Sequence, residues 1–185
     1  KDNDGRLTMY FDPASAFNDT VVGVPPAGSV PPYASQLNTN TVGSGGWAVE
    51  WVSWHENQFI IAECQYNLGN TEKAVETLNN VVDVLEERWR VFDSTCVLPR
   101  YNNISGQEVI SAIMNEKYKA LFLNMQVFSD WRRTGYPKFE DRNGASTVCD
   151  AGVPRRLPFP ELEKNTNQNI LSIKYLKQNQ DMHLK

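Results

Sequence analysis

The chain has 185 residues and a formal net charge of −4, so it is long enough for one domain with a core of its own. Its Lys and Arg residues are scattered, which argues against nucleic-acid binding and against a polybasic membrane contact, since both need clustered positive charge. No apolar run approaches the ~20 residues of a membrane-spanning helix. The chain starts without an initiator Met or a signal peptide, and we expect a fragment or a processed chain.

Residues 1–46 are predicted to be rich in loops. The stretches "GVPPAGSVPPY" and "VGSGG" combine Pro, Gly and Ser, which disfavour helices and central strands. The stretch "RLTMYF" in the same region is predicted to form a short strand.

Residues 47–90 are predicted to form a helical hairpin, because apolar side chains recur every three or four residues in both halves. The tripeptide "LGN" between them suits a helix end at Gly69 and a new helix after Asn70. Two helices joined by so short a turn must pack as an antiparallel pair, and "AECQYNLGNTEKAVETLNNVV" is similar to a tetratricopeptide hairpin. The predicted buried stripes are Trp51, His55, Phe59, Ala62 and Tyr66, then Ala74, Leu78, Val81, Leu85 and Trp89.

Residues 105–135 are predicted to form one long helix. Ser105 and Glu108 have the spacing of a capping box, in which each side chain binds the backbone N–H of the other residue. Gly135 can adopt a left-handed conformation and Pro137 cannot continue a helix, so both favour an end there. Residues 136–185 are predicted to contain loops and short helices, one of them beginning at Pro160. The predicted buried stripe of the long helix is Ile110, Met114, Tyr118, Leu121, Met125 and Phe128.

Two adjacent arginines, Arg132 and Arg133, lie in the last turn of this predicted helix. Positive side chains are favoured there by about 0.3–1 kcal/mol, because unpaired carbonyl groups give the helix end a partial negative charge. A guanidinium can also bind a carboxylate through two parallel hydrogen bonds, and Glu56 and Glu63 lie on one side of the first helix. We therefore predict that one arginine of the pair binds one of these glutamates; a free anion site is the alternative.

No catalytic or metal-binding motif is complete. His55 and Glu56 begin the pattern of a zinc protease, but position 59 is Phe, so H-E-x-x-H is not met. The stretch "DNDG" is similar to a calcium loop, yet Phe11 stands where that loop needs a bidentate Glu. Neither G-x-S-x-G nor a phosphate-binding G-x-x-x-x-G-K-[ST] occurs, and the three cysteines form no C-x-x-C. We assign no catalytic residue, no metal and no cofactor.

The candidates for a binding site are loop aromatics beside polar residues. Sugar rings present flat C–H faces and rims of hydroxyl groups, so a glycan site needs an exposed aromatic ring next to hydrogen-bonding side chains. The residues that fit this description are Trp47, Tyr33, Tyr101, Asn102 and Asn103. Each ring could instead anchor its own loop. Core packing is predicted for the remaining tryptophans, which belong to helices or helix ends: Trp51, Trp54, Trp89 and Trp131.

Two motifs follow each other in the second half of the chain, "NEKYKALFLNMQVFSDWRRTGYP" and "VPRRLPFPELEKNTNQN". Together they resemble the SusD/RagB family, the nutrient-binding surface lipoproteins of Bacteroidetes outer membranes, and in particular its SusD-like branch. The stretches "DGRLTMYFDP" and "WVSWHENQFIIAEC" extend the resemblance over nearly the whole chain. The second motif contains another arginine pair, Arg155 and Arg156, which we expect to have a structural role like the first pair.

The resemblance implies an all-α fold of tetratricopeptide-like helical hairpins with long irregular loops. It also implies a non-catalytic protein that binds an oligosaccharide or another nutrient and passes it to a SusC-like TonB-dependent transporter. Because family members are longer, we expect residues 1–185 to be the C-terminal segment of a single domain, with the N-terminal segment of the same protein as a partner. Cell-surface exposure and a lipid anchor are implied by the family, not by this chain.

Two other functions remain open from the residues alone. A tetratricopeptide-like scaffold that binds a protein partner would present an apolar groove between helices without an exposed aromatic platform. A hydrolase would present two carboxylates in a cleft, with pKa values shifted apart by their surroundings.

Overall fold

The computed structural model describes residues 4–13, 20–23, 33–48, 50–139 and 160–167. The predicted all-α fold is confirmed, since no strand forms within these ranges and an isolated bridge joins Phe11 to Leu37. The helices are α1 (Arg6–Tyr10), α2 (Trp54–Asn67), α3 (Thr71–Arg90), α4 (Gln107–Ala120), α5 (Gln126–Thr134) and α6 (Glu161–Thr166).

The chain divides into two compact units, Lys1–Phe139 and Glu140–Lys185. The second unit contains α6, which begins directly after Pro160, where the sequence predicts a short helix. Arg155 and Arg156 lie outside the described residues, so the prediction of a structural role for this pair stays a prediction. All the other helices belong to the first unit.

The predicted helical hairpin is formed by α2 and α3. Residues 68–70 join the two helices, and Gly69 has a φ of +82°, a left-handed conformation that glycine adopts without steric strain. Phe59 and Ala62 of α2 have no exposed surface and belong to the same core as α3. The whole predicted stripe of α3 is buried: Ala74, Leu78, Val81, Leu85 and Trp89.

The first helix of the hairpin begins at Trp54, not at the predicted Trp47. Ser53 is the N-cap, and its hydroxyl oxygen accepts a hydrogen bond of 3.0 Å from the backbone N–H of Glu56. A serine followed three residues later by glutamate is the sequence signal of such a start. The hydrophobic period obscured it, because Trp47 and Trp51 happen to continue the helical spacing in the N-terminal direction.

The later start changes the environment of two tryptophans. Trp51 lies outside the helix and is 93% exposed, and Trp54 in the first turn is 49% exposed. The prediction that both pack in the core is therefore wrong. The same prediction is correct for Trp89 and Trp131, which are buried.

The predicted long helix over residues 105–135 is wrong, because two helices occupy this region. α4 ends at Ala120, and Leu123 has a φ of +67°, which is incompatible with a right-handed helix. Asn124 then accepts a hydrogen bond of 2.9 Å from the backbone N–H of Gln126 at the start of α5. The end of α5 is as predicted, since Gly135 has a φ of +74° and a left-handed conformation.

The buried face of α4 also differs from the predicted stripe. Val109, Ile113 and Met114 are buried, but Tyr118 is 39% exposed. The face includes two charged residues, Glu116 and Lys117, which are 0% and 4% exposed. Met114 and Leu121 of the predicted stripe are buried, but a search that counts only apolar residues misses the two buried charged residues. The predicted capping box is absent as well, because Gly106 and not Ser105 precedes the helix and no side-chain cap forms.

The predicted strand at "RLTMYF" is instead the short helix α1, and a buried ion-pair network fastens it to α4. Arg6 is 1% exposed and donates to both carboxylate oxygens of Glu116, at 2.8 and 3.0 Å. The Arg6 guanidinium also binds Asp4, at 2.9 and 2.6 Å. Burial raises the pKa of the Asp4 carboxyl, but the hydrogen bonds and charge of Arg6 outweigh it and lower that pKa to about 2. Tyr101 and Lys119 complete the network through contacts of 2.7 and 3.2 Å to Glu116 and Asp4.

Over the described ranges, none of the helices is both long enough and apolar enough to cross a membrane.

Candidate functional site

A cavity of about 240 Å³ lies where α3 and α4 end. The end of α3 contributes Leu85, Arg88 and Trp89, and the end of α4 with the following turn contributes residues 120–124. The loop before α2 contributes the remaining lining residues: Val42, Ser44, Trp47, Ala48 and Glu50. Tyr10 of α1 also lines the cavity, and its hydroxyl donates a hydrogen bond of 2.8 Å to the backbone carbonyl of Lys119. We call this space the aromatic cavity.

Two tryptophans form its most regular wall. The rings of Trp47 and Trp89 are nearly parallel, with an interplanar angle of 4° and 6.0 Å between their centroids. Tyr10 contacts Trp89 edge to face at 5.4 Å, and Phe92 lies 6.0 Å from each tryptophan. Trp89 is 4% exposed, whereas Trp47 is half-buried and so presents part of its ring to solvent.

An ion pair stands at the same wall. Arg88 Nη1 lies 2.9 Å from Glu50 Oε1, and both side chains are partly exposed. The guanidinium carbon of Arg88 is 5.9 Å from the ring centroid of Trp47 and 5.8 Å from that of Trp89, within the range of cation–π attraction. The pair therefore fastens the loop that carries Trp47 to the last turn of α3.

Two buried polar atoms near this wall have no hydrogen-bond partner within the described part of the chain, Trp89 Nε1 and His55 Nε2. Burial lowers the pKa of His55, and the positive charge of Arg88 lowers it further, while Glu50 acts in the opposite direction. His55 is therefore neutral near pH 7, and its ring packs edge to face on Trp54 at 5.6 Å. A buried donor without a partner is uncommon and is normally satisfied by water or by a ligand.

Of the residues predicted to bind a ligand, Trp47 lines the aromatic cavity and the other four do not. Tyr101 donates its hydroxyl hydrogen to Glu116, and its backbone N–H and carbonyl both bind the side chain of Asn79, at 2.9 and 2.8 Å. Burial and the negative charge of Glu116 raise the pKa of Tyr101. These contacts favour a loop-anchoring role for Tyr101.

The remaining three candidates lie in other loops. Tyr33 is 45% exposed. Asn102 and Asn103 are exposed next to Tyr101, and Asn103 has a left-handed φ of +59°, which asparagine tolerates better than most residues. The proposal that these residues contact a ligand remains a prediction.

The polar residues of the cavity were missed at the sequence level. Arg88 lies in the last turn of α3, where a basic residue has an ordinary explanation in the helix dipole. Glu50 precedes α2 in an irregular segment, and Asn124 lies in a turn that the long-helix prediction did not contain. No spacing rule connects these three positions, because three separate elements of the fold bring them to one cavity.

The arginine pair of α5 makes the contact that the sequence predicts. Arg133 donates to both carboxylate oxygens of Glu63 on α2, one of them at 2.9 Å, and also to Asp130 at 2.9 Å. Lys117 of α4 binds the same Asp130 at 2.6 Å. We call the Arg133–Glu63 contact the guanidinium clamp. The neighbouring Arg132 lies over the ring of Phe128, with its guanidinium carbon 5.7 Å from the ring centroid.

The stabilising effect of the guanidinium clamp is a testable prediction. We expect a double-mutant cycle of Glu63→Gln and Arg133→Met to give a coupling energy of about 1–2 kcal/mol in the free energy of unfolding. The value is modest because Arg133 is 52% exposed, so water screens the pair, although Glu63 is only 11% exposed. Urea unfolding of the four proteins measures it. The matched cycle of Glu56→Gln and Arg133→Met should be additive, and additivity in both cycles would contradict the prediction.

Glu50 is the only acidic residue among those described as lining the aromatic cavity. A group of three or more His, Cys, Asp or Glu side chains that could hold a metal ion is not found in the described ranges either. The arrangement provides flat apolar ring surface together with hydrogen-bond donors and acceptors. This combination can bind a ring with an apolar face and a polar rim.

A model of the SusD-like family, described as starch-binding and associating with the outer membrane, matches residues 1–160. The matched region includes α1 to α5 and every residue that lines the aromatic cavity. Comparison with curated proteins and with solved structures gave no match.

Proposed function

Because the chain belongs to the SusD-like family of starch-binding proteins that associate with the outer membrane, we propose that it captures a glycan at the cell surface. The family is a binding family without catalytic activity, and we propose the same for this chain. In this proposal the captured oligosaccharide, or another nutrient, is handed to a SusC-like TonB-dependent transporter. A lipid anchor and the remaining part of the same domain would hold the protein in place.

The observation that carries the proposal is the half-buried Trp47 at the aromatic cavity. A sugar ring can stack its C–H face on the exposed part of this indole, while its hydroxyl groups reach the neighbouring polar side chains. Trp47 lies parallel to Trp89 and next to the Arg88 guanidinium, which Glu50 holds in place, so little side-chain freedom is lost on binding. The binding step forms no covalent bond.

Replacement of Trp47 by Ala tests the proposal. We expect the affinity for a maltooligosaccharide, measured by calorimetry, to fall tenfold to a hundredfold, or ~1.4–2.8 kcal/mol, because the stacking surface is lost. Trp54→Ala is the matched control, since Trp54 is exposed but does not line the cavity. Equal affinities for the wild type and Trp47→Ala would contradict the assignment of the site. Release of shorter sugars on prolonged incubation would contradict the non-catalytic function.

A second function, a scaffold for protein binding, is favoured by a different observation. Three apolar side chains of α2 and one directly after it are exposed by 36–77%: Trp54, Ile60, Ile61 and Leu68. If this face binds protein, Ile61→Lys should abolish self-association or partner binding and leave the maltooligosaccharide affinity unchanged. Retention of all protein contacts by Ile61→Lys would remove the support for this function.

A further inference from the structure

We propose that the Arg88–Glu50 ion pair is the specificity-determining element of the aromatic cavity, binding two neighbouring hydroxyl groups of a neutral sugar ring and disfavouring rings that carry a carboxylate. This inference rests on the proposed function and adds to it the residues that select a neutral sugar ring over an acidic one.

The first step is the remaining hydrogen-bonding capacity of the pair. A guanidinium has five N–H donors and a carboxylate about four acceptor positions, and the contact between Arg88 Nη1 and Glu50 Oε1 uses one of each. The side chains are 33% and 42% exposed, so both can reach a molecule that enters the cavity. Arg88 is held at a defined place by the two tryptophan rings on which it lies.

The second step is the match between this pair and a diol. A hydroxyl group both donates and accepts a hydrogen bond. Two adjacent hydroxyl groups can therefore donate to Glu50 and accept from Arg88 together, without breaking the ion pair. The ring that bears them would present its C–H face to Trp47, which belongs to the same wall.

The third step is the charge of the wall. Glu50 neutralises Arg88, the basic residue among those described as lining the cavity, so these residues offer no unpaired positive charge to an anionic ligand. A carboxylate bound to Arg88 would either displace Glu50 or lie beside it, and like charges in a partly desolvated site repel each other. Glu50 therefore disfavours the binding of acidic sugars at this wall.

The fourth step is an independent sign that a ligand oxygen belongs here. Trp89 lines the cavity, is 4% exposed, and its Nε1–H finds no acceptor among the described residues. This N–H gains a hydrogen-bond acceptor when an oxygen of a ligand or of water occupies the cavity. A hydroxyl oxygen of a neutral sugar supplies such an acceptor.

Glu50→Gln tests the inference, with two ligands that differ at C6: maltohexaose, and maltohexaose whose C6 hydroxymethyl groups are oxidised to carboxylates. The wild type should bind the neutral ligand at least tenfold more tightly by calorimetry. In Glu50→Gln the neutral affinity should fall about fivefold and the affinity for the oxidised ligand should rise, so that the preference disappears or reverses. A variant that only loosened the loop would weaken both ligands alike, and therefore the ratio of the two affinities is the decisive quantity.

Glu87→Gln is the matched control, because Glu87 is an exposed residue next to Arg88 that does not line the cavity. It removes the same charge from the same helix turn and should leave both affinities unchanged. An unchanged ratio in Glu50→Gln, or a wild-type preference for the oxidised ligand, would overturn this inference and leave the proposed function standing. Failure of the wild type to bind either ligand would overturn the proposed function itself, and this inference with it.

Discussion

Replacement of Glu116 by Ala is expected to lower the free energy of unfolding by about 3–5 kcal/mol, because it breaks a buried ion pair by removing one partner. Glu116 has no exposed surface and accepts hydrogen bonds from both terminal nitrogens of Arg6 and from the hydroxyl of Tyr101. The substitution leaves the Arg6 guanidinium, itself 1% exposed, with one carboxylate partner instead of two. It also removes the ion pair between α1 and α4.

Urea unfolding followed by circular dichroism measures this effect. Glu108→Ala is the control on the same helix, since Glu108 is exposed in the first turn of α4, and we expect a change within about 0.5 kcal/mol. The double variant Arg6→Met with Glu116→Leu removes the buried pair and should recover part of the loss, because its desolvation penalty is removed while Asp4 keeps Lys119 as a partner. A loss below 1 kcal/mol for Glu116→Ala would show that the network contributes little.

The second large effect is expected at a buried tryptophan, and the same substitution at an exposed tryptophan is its control. Trp131→Ala should lower the free energy of unfolding by about 3–5 kcal/mol, since a buried indole is replaced by a cavity. Trp131 is 6% exposed and packs between Phe128 and Phe139, with ring centroids 5.9 and 5.8 Å away. The identical substitution at Trp51, which is 93% exposed, should change the free energy by less than about 0.5 kcal/mol.

Thermal unfolding provides the measurement for this pair. The melting temperature of Trp131→Ala should fall on the order of 10 °C, and that of Trp51→Ala should stay close to the wild-type value. Because the two variants lose the same side chain, the difference between them reports burial and not the chemistry of tryptophan. Equal melting temperatures would contradict the burial that distinguishes these residues.

The hairpin and the guanidinium clamp were predictable from local patterns. α3 shows a regular apolar period with a glycine turn before it, and the structure buries that stripe completely. The clamp followed from the preference of guanidinium for carboxylate and from the position of Glu63 on one side of α2. The spacing did not distinguish Glu63 from Glu56, and only the fold showed that Glu63 is the carboxylate that Arg133 binds.

The apolar periodicity did not predict the buried face of α4, because charged residues are buried there. Glu116 and Lys117 belong to the buried face of α4 because Arg6 and Asp130 supply their counter-charges from distant parts of the chain. A charge without a partner would not be buried, and the partner is invisible to a local pattern. The interruption of the predicted long helix has a similar origin, since Leu123 adopts a left-handed conformation that its residue type does not favour.

One residue of the candidate site was predictable from the sequence, whereas its polar neighbours were found only in the structure. Trp47 was selected from its loop position alone, because an aromatic residue beside glycines and polar residues suits a sugar platform. Arg88, Glu50 and Asn124 have ordinary local explanations, and only their meeting at the end of α3 makes them candidates.

By itself, the sequence determined the all-α class, the hairpin, the end of α5 and the family, since helix periods, turn glycines and linear motifs are local properties. The tertiary structure alone decided which helix faces are buried, where Tyr101 and the tryptophans lie, and which charges meet. These features depend on contacts between residues as far apart as Arg6 and Glu116. The energy of such a contact exists only when the chain has brought both partners together and excluded water from them.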